Sequence, residues 1–465
     1  MRATSGPKKW PASAVCAFPC GKTEVSAGYW CASLLIDGTA NAGVRLEVDV
    51  AGRIARVQRG VAAEAADICL GTVMPGFGNA HSHAFHRALR GQTHGEGGDF
   101  WLWRERMFRV AAQLDPLRYQ ALATAVFAEM LVSGYTAVGE FHYVHHRPSG
   151  EPYETEHAME LALAAAARQV GIRLLLLDTV YLQGSIGRDL APEQRAFGDG
   201  SAAGWLTRWR SLRSQLAGDE LVTLGAALHS VRAVPPDAMR ELLHGLPPEV
   251  PLHIHLSEQP QENEDCLAAY GLTPTGLLDT VGALSPRLSV VHATHVRDDD
   301  RKLLGDAGVT VVMCPTTEAD LGDGIGPALA LASAGTPIAL GSDQNAVIDP
   351  FLEMRGLEMG ERLASQKRGR FAPAELLTGA STGGYAALGL GRHRLQPGDP
   401  CDLVEISTTS VRTIGSVPEQ LALTATASDV ERVVVGGRLV AECGQLVGGA
   451  WPATLMADAL DRLST

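Results

Sequence analysis

Residues 74–91, MPGFGNAHSHAFHRALRG, follow a run that reads as a strand and set His81, His83 and His86 within six positions. In an extended strand residues i and i+2 share a side, so His81 and His83 point together while Ser82 faces away. His86 falls beyond the strand end. A single buried histidine is more often a hydrogen-bonded core residue than a ligand, so the reading of this stretch depends on what the rest of the chain brings beside the pair.

Working outward, the chain carries eight apolar runs separated by helical stretches rich in Ala and Leu: CLGTVMPGFGNAH, YTAVGEFH, IRLLLLDTVY, LVTLGAALH, VPLHIH, LSVVH, VTVVMCP and PIALGSD. Such alternation predicts an α/β fold with a parallel sheet wrapped by helices, and eight repeats predict a (β/α)8 TIM-like barrel. Most runs end in polar residues, namely His81 and His83, His142 and Tyr143, His229, His255, His292 and Asp343. Catalytic groups of such barrels sit at the C-terminal strand ends, so these residues are expected to converge on one mouth. His81, His83, His255 and Asp343 form an N/O ligand set that suits Zn2+ and leaves room for a water.

The 465 residues suffice for a barrel with an appended domain. From about residue 25 to 72, short β-like runs alternate with turns, and the tail segments DLVEIS and VERVVVGGRLVAECG repeat that style. The expected organisation is a disordered extension over 1–26, a small flanking β-sandwich domain built from 27–75 together with 390–465, and a catalytic barrel over 76–389. With 39 basic against 52 acidic residues and a net charge of −13, the chain has no basic patch suited to nucleic acid or an anionic membrane. Eight cysteines without a CxxC pair fit reduced thiols in a cytoplasmic protein. No run approaches the roughly 18 apolar residues of a spanning helix, and the start has too short an apolar centre for a signal peptide. Cys314 reads as a small buried apolar group with no base beside it.

The chain resembles the amidohydrolase superfamily in HSH of the first strand, HIHLSE with His255 and Glu258, His292 in VVHATH, and Asp343 in LGSD. Within it, the likeness runs to the bacterial formimidoylglutamate deiminases through GNAHSHAFHRALRG, FWLWRERM, GYTAVGEFHYVHH, HSVRAV, HIHLSEQPQENEDCLAAYG, CPTTEADLGDGIGP and GSDQNAVIDPF. It covers nearly everything after about residue 27. The resemblance implies a metal-dependent barrel with a flanking β domain from both termini, one Zn2+ per subunit with Fe2+ as the alternative metal, and a homodimer. A lysine that bridges two metals in binuclear relatives is missing from the end of the fourth run, in keeping with a single ion.

The implied reaction is hydrolytic deimination of N-formimino-L-glutamate, a small anionic amidine, in histidine degradation. Asp343 would take a proton from metal-activated water while holding the ion, His292 would orient the nucleophile or stabilise the tetrahedral centre, and Glu258 would carry a proton to the departing nitrogen. The resemblance also brings Arg104, Tyr143, His229 and Arg232 into the substrate site, arginine being suited to the two substrate carboxylates. Trp101 and Trp103 read as packing groups. Two positions depart from the family pattern: His86 stands where some relatives carry a substrate-contacting Gln, and Asn345 stands where relatives often carry His. Two other readings accompany this one. An aminohydrolase of a purine, pterin or other ring amine would want an aromatic clamp, and a non-catalytic scaffold would have lost its metal ligands.

Overall fold

The computed structural model describes residues 27–93 and 100–464, the side chains of residues 100 and 101 excepted. The extension over 1–26, with Cys16 and Cys20, and the Trp101 side chain lie outside the described residues. Eight parallel strands follow one another in chain order around a barrel: β1 (Phe77–Ser82), β2 (Tyr135–His142), β3 (Arg173–Val180), β4 (Val222–Ser230), β5 (Leu252–Leu256), β6 (Leu288–His292), β7 (Thr310–Met313) and β8 (Ile338–Leu340). Neighbours pair in parallel register throughout. The last and first strands meet just past β8, where Asp343 N donates to His81 O at 2.9 Å and His83 N donates to Asp343 O at 2.9 Å. Closure of the barrel therefore aligns two of the candidate ligand-bearing segments by backbone hydrogen bonds.

These strands are buried on both faces, inside by one another's side chains and outside by helices, which is why they read as near-continuous apolar runs. The helices have local stop and start signals. Asp115, for example, accepts from Leu117 N and Arg118 N at 2.9 Å ahead of Pro116–Val132, whose proline at the first helical position has no N–H to leave unpaired. Glycine is required where β8 passes β1, since a Cβ on Gly341 would fall 2.9 Å from His81 Cβ.

The first apolar run of the sequence proves to be two strands. Ile68–Pro75 belongs to the flanking sheet, and after Gly76 the chain enters the barrel as β1. A Cβ at Gly76 would lie 2.2 Å from Thr136 Oγ1, so only glycine permits this passage. The flanking sheet draws on both ends of the chain, in the spatial order Gln445–Leu446, Arg438–Glu442, Val430–Val435, Leu403–Ile406, Ile68–Pro75, Gly28–Ile36, Thr39–Val48, Ile54–Gln58. Alternation along it is visible in Val44, Leu46 and Val48, which face a core with Tyr29, Cys31 and Leu34 while Arg45 and Glu47 face out. It is tied to the barrel by Arg173 on β3, whose Nε donates to Asp402 Oδ2 at 2.7 Å, the same oxygen that accepts from Tyr385 OH at 2.6 Å. The final helix Pro452–Ser464 packs on Pro116–Val132. Among the described residues no helix is long and apolar enough to cross a membrane, and the six described cysteines are unpaired.

Candidate active site

His81 and His83 project from β1 to one side, and Ser82 turns to the other, where its Oγ donates to Glu140 Oε2 at 2.7 Å. His255 comes from β5 and Asp343 from the loop after β8. His83 Nδ1 donates to Phe141 O at 2.8 Å and His255 Nδ1 to His229 O at 2.9 Å. Carbonyl oxygens only accept, so both rings are fixed with Nε2 as a bare lone pair directed inward. The inward atoms crowd together: His81 Nε2 to His255 Nε2 is 3.1 Å, His83 Nε2 to His255 Nε2 is 3.3 Å, and Asp343 Oδ1 lies 3.3 Å from His81 Nε2 and 3.5 Å from His83 Nε2. Lone pairs facing one another at such range repel. A cation with ligand bonds of about 2.1 Å has tetrahedral edges of about 3.4 Å, and the donor set fits such an ion.

The electrostatics agree. Burial and mutual repulsion hold His83 and His255 well below the ordinary imidazole range, leaving them neutral. Burial would raise Asp343, but His81, His292 and His83 outweigh it and keep the carboxylate ionised. Phe141 lies under the cluster, its ring centroid 4.3 Å from that of His255 and 5.2 Å from that of His81.

His292, at the end of β6, stands beside this set. Its Nε2 is 3.8 Å from Glu258 Oε1 and 4.0 Å from Asp343 Oδ2, and its Nδ1 is 3.5 Å from Glu318 Oε1. Burial opposes its protonation, yet Glu258, Glu318 and Asp343 prevail and push its pKa up to about 10. Glu258 is itself raised by burial against the pull of His292 and Arg232. An imidazolium facing a carboxyl of raised pKa is a proton-exchanging pair. The backbone here is strained: Ser257, His292, Asp343 and Asn345 have φ of 49°, 73°, 43° and 56°, left-handed values that non-glycine residues seldom adopt.

All five expected substrate contacts, His86, Arg104, Tyr143, His229 and Arg232, line one cavity with His83, His255, Glu258, His292 and Asp343. Its volume, mouth included, is about 610 Å³. His86 reaches it on the 3-10 helix Ala84–Leu89 and bonds Tyr143 OH through Nε2 at 2.9 Å. Arg232 Nε donates to Glu262 Oε2 at 2.9 Å, and its Nη2 lies 3.9 Å from Glu258 Oε2. Arg104 rides on helix Phe100–Gln113 with its guanidinium carbon 5.0 Å from the Phe108 ring centroid. Trp103, expected only to pack, does line the cavity, and its Nε1 donates to Gln344 Oε1 at 3.1 Å, next to Asp343. Phe108, Tyr181 and Phe197 add aromatic walls that the sequence reading did not place there.

One strand-end residue does not join the mouth. Alternation on β2 sends Phe141 inward and His142 outward, so His142 belongs to a second cluster behind the barrel with His145 and Glu160. Sequence reading also missed Glu140, a carboxylate inside an apolar run. It accepts from Ser82 Oγ and, at 2.6 Å, from Ala84 N, holding a side chain on one side of His83 and the backbone on the other. Burial pushes its pKa up to about 8. Asn345 earns a structural account: its Nδ2 donates to Ser82 Oγ and His83 O, both at 3.0 Å, tying the loop of Asp343 to β1. Cys314 is buried, which pushes its thiol well up and leaves it inert, as expected.

Residues 72–440 match the amidohydrolase family. The chain is 37% identical to formimidoylglutamate deiminase of Pseudomonas aeruginosa over 80% of this chain and 84% of that one. It is 31% identical to 8-oxoguanine deaminase of the same organism, over 78% of this chain and 81% of the other. Among solved structures, an amidohydrolase from Brucella melitensis superposes with a TM-score of 0.88 at 32% identity, covering 94% of this chain and all (100%) of that one.

Proposed function

This chain belongs to the amidohydrolase family and is a hydrolase of carbon–nitrogen bonds, and from that premise we propose that it deiminates N-formimino-L-glutamate, releasing N-formyl-L-glutamate and ammonia. The observation that carries the proposal is the polarity of the cavity: Arg104 and Arg232 share it with the Glu258–His292 pair. Guanidinium groups suit the carboxylates of a small dianion, and a proton-exchanging pair suits an amidine.

His81, His83, His255 and Asp343 would hold the zinc, which when bound supplies a water acidified to about pKa 7. In the proposed reaction water adds to the formimino carbon, and the bond to the terminal nitrogen then breaks. Asp343 stands where it can take the proton given up by the water, and His292, as an imidazolium, stands where it can orient the nucleophile or stabilise the tetrahedral centre. Glu258 can hand a proton to the departing nitrogen, without which ammonia is a poor leaving group. Tyr143, His86 and His229 complete the polar wall that orients the chain of the substrate. A place in histidine degradation, a homodimer and a cytoplasmic location belong to the same reading.

A second reading, deamination of a ring amine, draws on the 31% identity to 8-oxoguanine deaminase and on the aromatic walls. Some of those rings pack on each other, Phe108 on Phe197 at 6.1 Å and Tyr143 edge-on to Phe197 at 5.0 Å. Steady-state ammonia release by the zinc-loaded protein, with formiminoglutamate, 8-oxoguanine and 5-methylthioadenosine side by side, tests both. Turnover of formiminoglutamate at least about a hundredfold more efficient than of either ring is expected, and a blank with formiminoglutamate ends the proposal.

A further inference from the structure

His292 is held on its far side by a carboxylate outside the proposed machinery. The backbone of His292 lies at φ 73°, a conformation that is unfavourable for a non-glycine residue and persists only when neighbours enforce it. On its cavity side the ring meets Glu258 and Asp343. On the far side its Nδ1 meets Glu318 Oε1 at 3.5 Å. Glu318 is buried on the short helix Pro315–Leu321 that follows β7, and the same Oε1 accepts from Cys314 N at 2.9 Å. That backbone bond pins the carboxylate where it faces His292. The ring so held lies within 15° of parallel to that of the ligand His255, with centroids 5.7 Å apart.

We propose that Glu318 is a positioning residue for the reaction: its carboxylate holds Nδ1 of His292 and fixes the ring plane, so that Nε2 faces Glu258 and the reacting centre. A ring without such a partner can turn, and a misdirected Nε2 faces neither Glu258 nor the reacting centre. The inference rests on the reading of His292 and Glu258 given above. It competes with a plainer role for Glu318, that of capping its own helix through Cys314 N.

A double-mutant cycle separates the two, combined with histidine ring spectra that need no turnover. Glu318→Leu lowers kcat by about 10–100-fold, with KM within about threefold and bound metal unchanged. Glu318→Gln keeps an oxygen that can accept from both Nδ1 and Cys314 N, and retains more of kcat than Glu318→Leu. In the His292→Asn background, Glu318→Leu changes kcat by less than about twofold, because the group it acts through is gone. In long-range proton–nitrogen spectra of protein labelled at histidine ring nitrogens, assigned with His292→Asn, the Nδ1-bound proton of His292 is present in wild type and Glu318→Gln and lost in Glu318→Leu. Multiplicative losses in the cycle, or a His292 signal unmoved by Glu318→Leu, overturn the proposal. Should formiminoglutamate fail as substrate, the spectra still decide the role of Glu318, and the cycle is run on whichever amine is turned over.

Discussion

Two clusters of histidines and carboxylates lie on opposite faces of β2, and they solve the same electrostatic problem differently. Inside the barrel, His81, His83, His255 and Asp343 converge with their lone pairs exposed to one another and, among the described residues, with no arginine or lysine between them. Behind it, His142, His145 and Glu160 gather around Arg208, whose guanidinium reaches Glu160 Oε1 at 2.8 Å, Asp178 Oδ1 at 2.9 Å and Asp199 Oδ1 at 2.7 Å. His145 bonds Glu160 Oε1 through Nδ1 at 2.7 Å and Thr179 O through Nε2 at 2.8 Å, so both ring nitrogens face acceptors and both carry protons. The second cluster brings its own positive charge and the first leaves it to be supplied. Donor identity and proximity alone do not define a metal site; what fills the middle does.

The largest effect expected from disturbing this contrast is loss of the ion. His255→Ala should remove bound metal and reduce ammonia release by more than about a thousandfold, whereas His145→Ala should leave one metal per chain by elemental analysis. Glu258→Gln should keep the metal and lower kcat by about 10²–10⁴-fold, and near-normal turnover would take Glu258 out of the mechanism. Arg232→Met should raise KM for formiminoglutamate about 10–100-fold, the worth of charged hydrogen bonds to a carboxylate, with kcat changed far less. Smaller for catalysis, but marked in stability, is Arg208→Met, which strands three carboxylates and should cost about 3–5 kcal/mol in urea unfolding with metal content intact.

The second cluster also predicts an acid limb. Burial alone would raise Glu160 and Asp199, but Arg208 and the neighbouring histidines hold both below the ordinary carboxylate range. With folded pKa values below the unfolded ones, their stabilisation is complete above about pH 4.5 and drains away as the pH falls toward the folded values. Melting temperature should therefore drop below about pH 4, and less steeply in Arg208→Met. A parallel acid limb in the variant would mean that other carboxylates carry it.

Strand periodicity made the first cluster legible. The i, i+2 spacing of His81 and His83 and the polar ends of the other runs pointed to one mouth, and the barrel places them there. The same rule misassigned His142, because counting strand ends ignores which parity faces inward, and Phe141 takes the inner position on β2. Arg208, which settles the nature of the second cluster, sits in helix Ala202–Gln215 with nothing in its local sequence to link it to His145. Glu140 and Glu318 escaped for a related reason: each meets a partner far away in the chain, Ala84 N for Glu140 and His292 for Glu318, a contact with no sequence spacing of its own. The split of the first apolar run into two strands turned on Gly76, whose necessity comes from Thr136 on the neighbouring strand.

Anomalous diffraction at the zinc edge, from crystals of protein loaded with zinc and then dialysed free of excess, tests the contrast most directly. One strong peak among His81, His83, His255 and Asp343, with none among His142, His145 and Glu160, is the predicted result. A peak at the second cluster, or an active protein with no metal at the first, would contradict it.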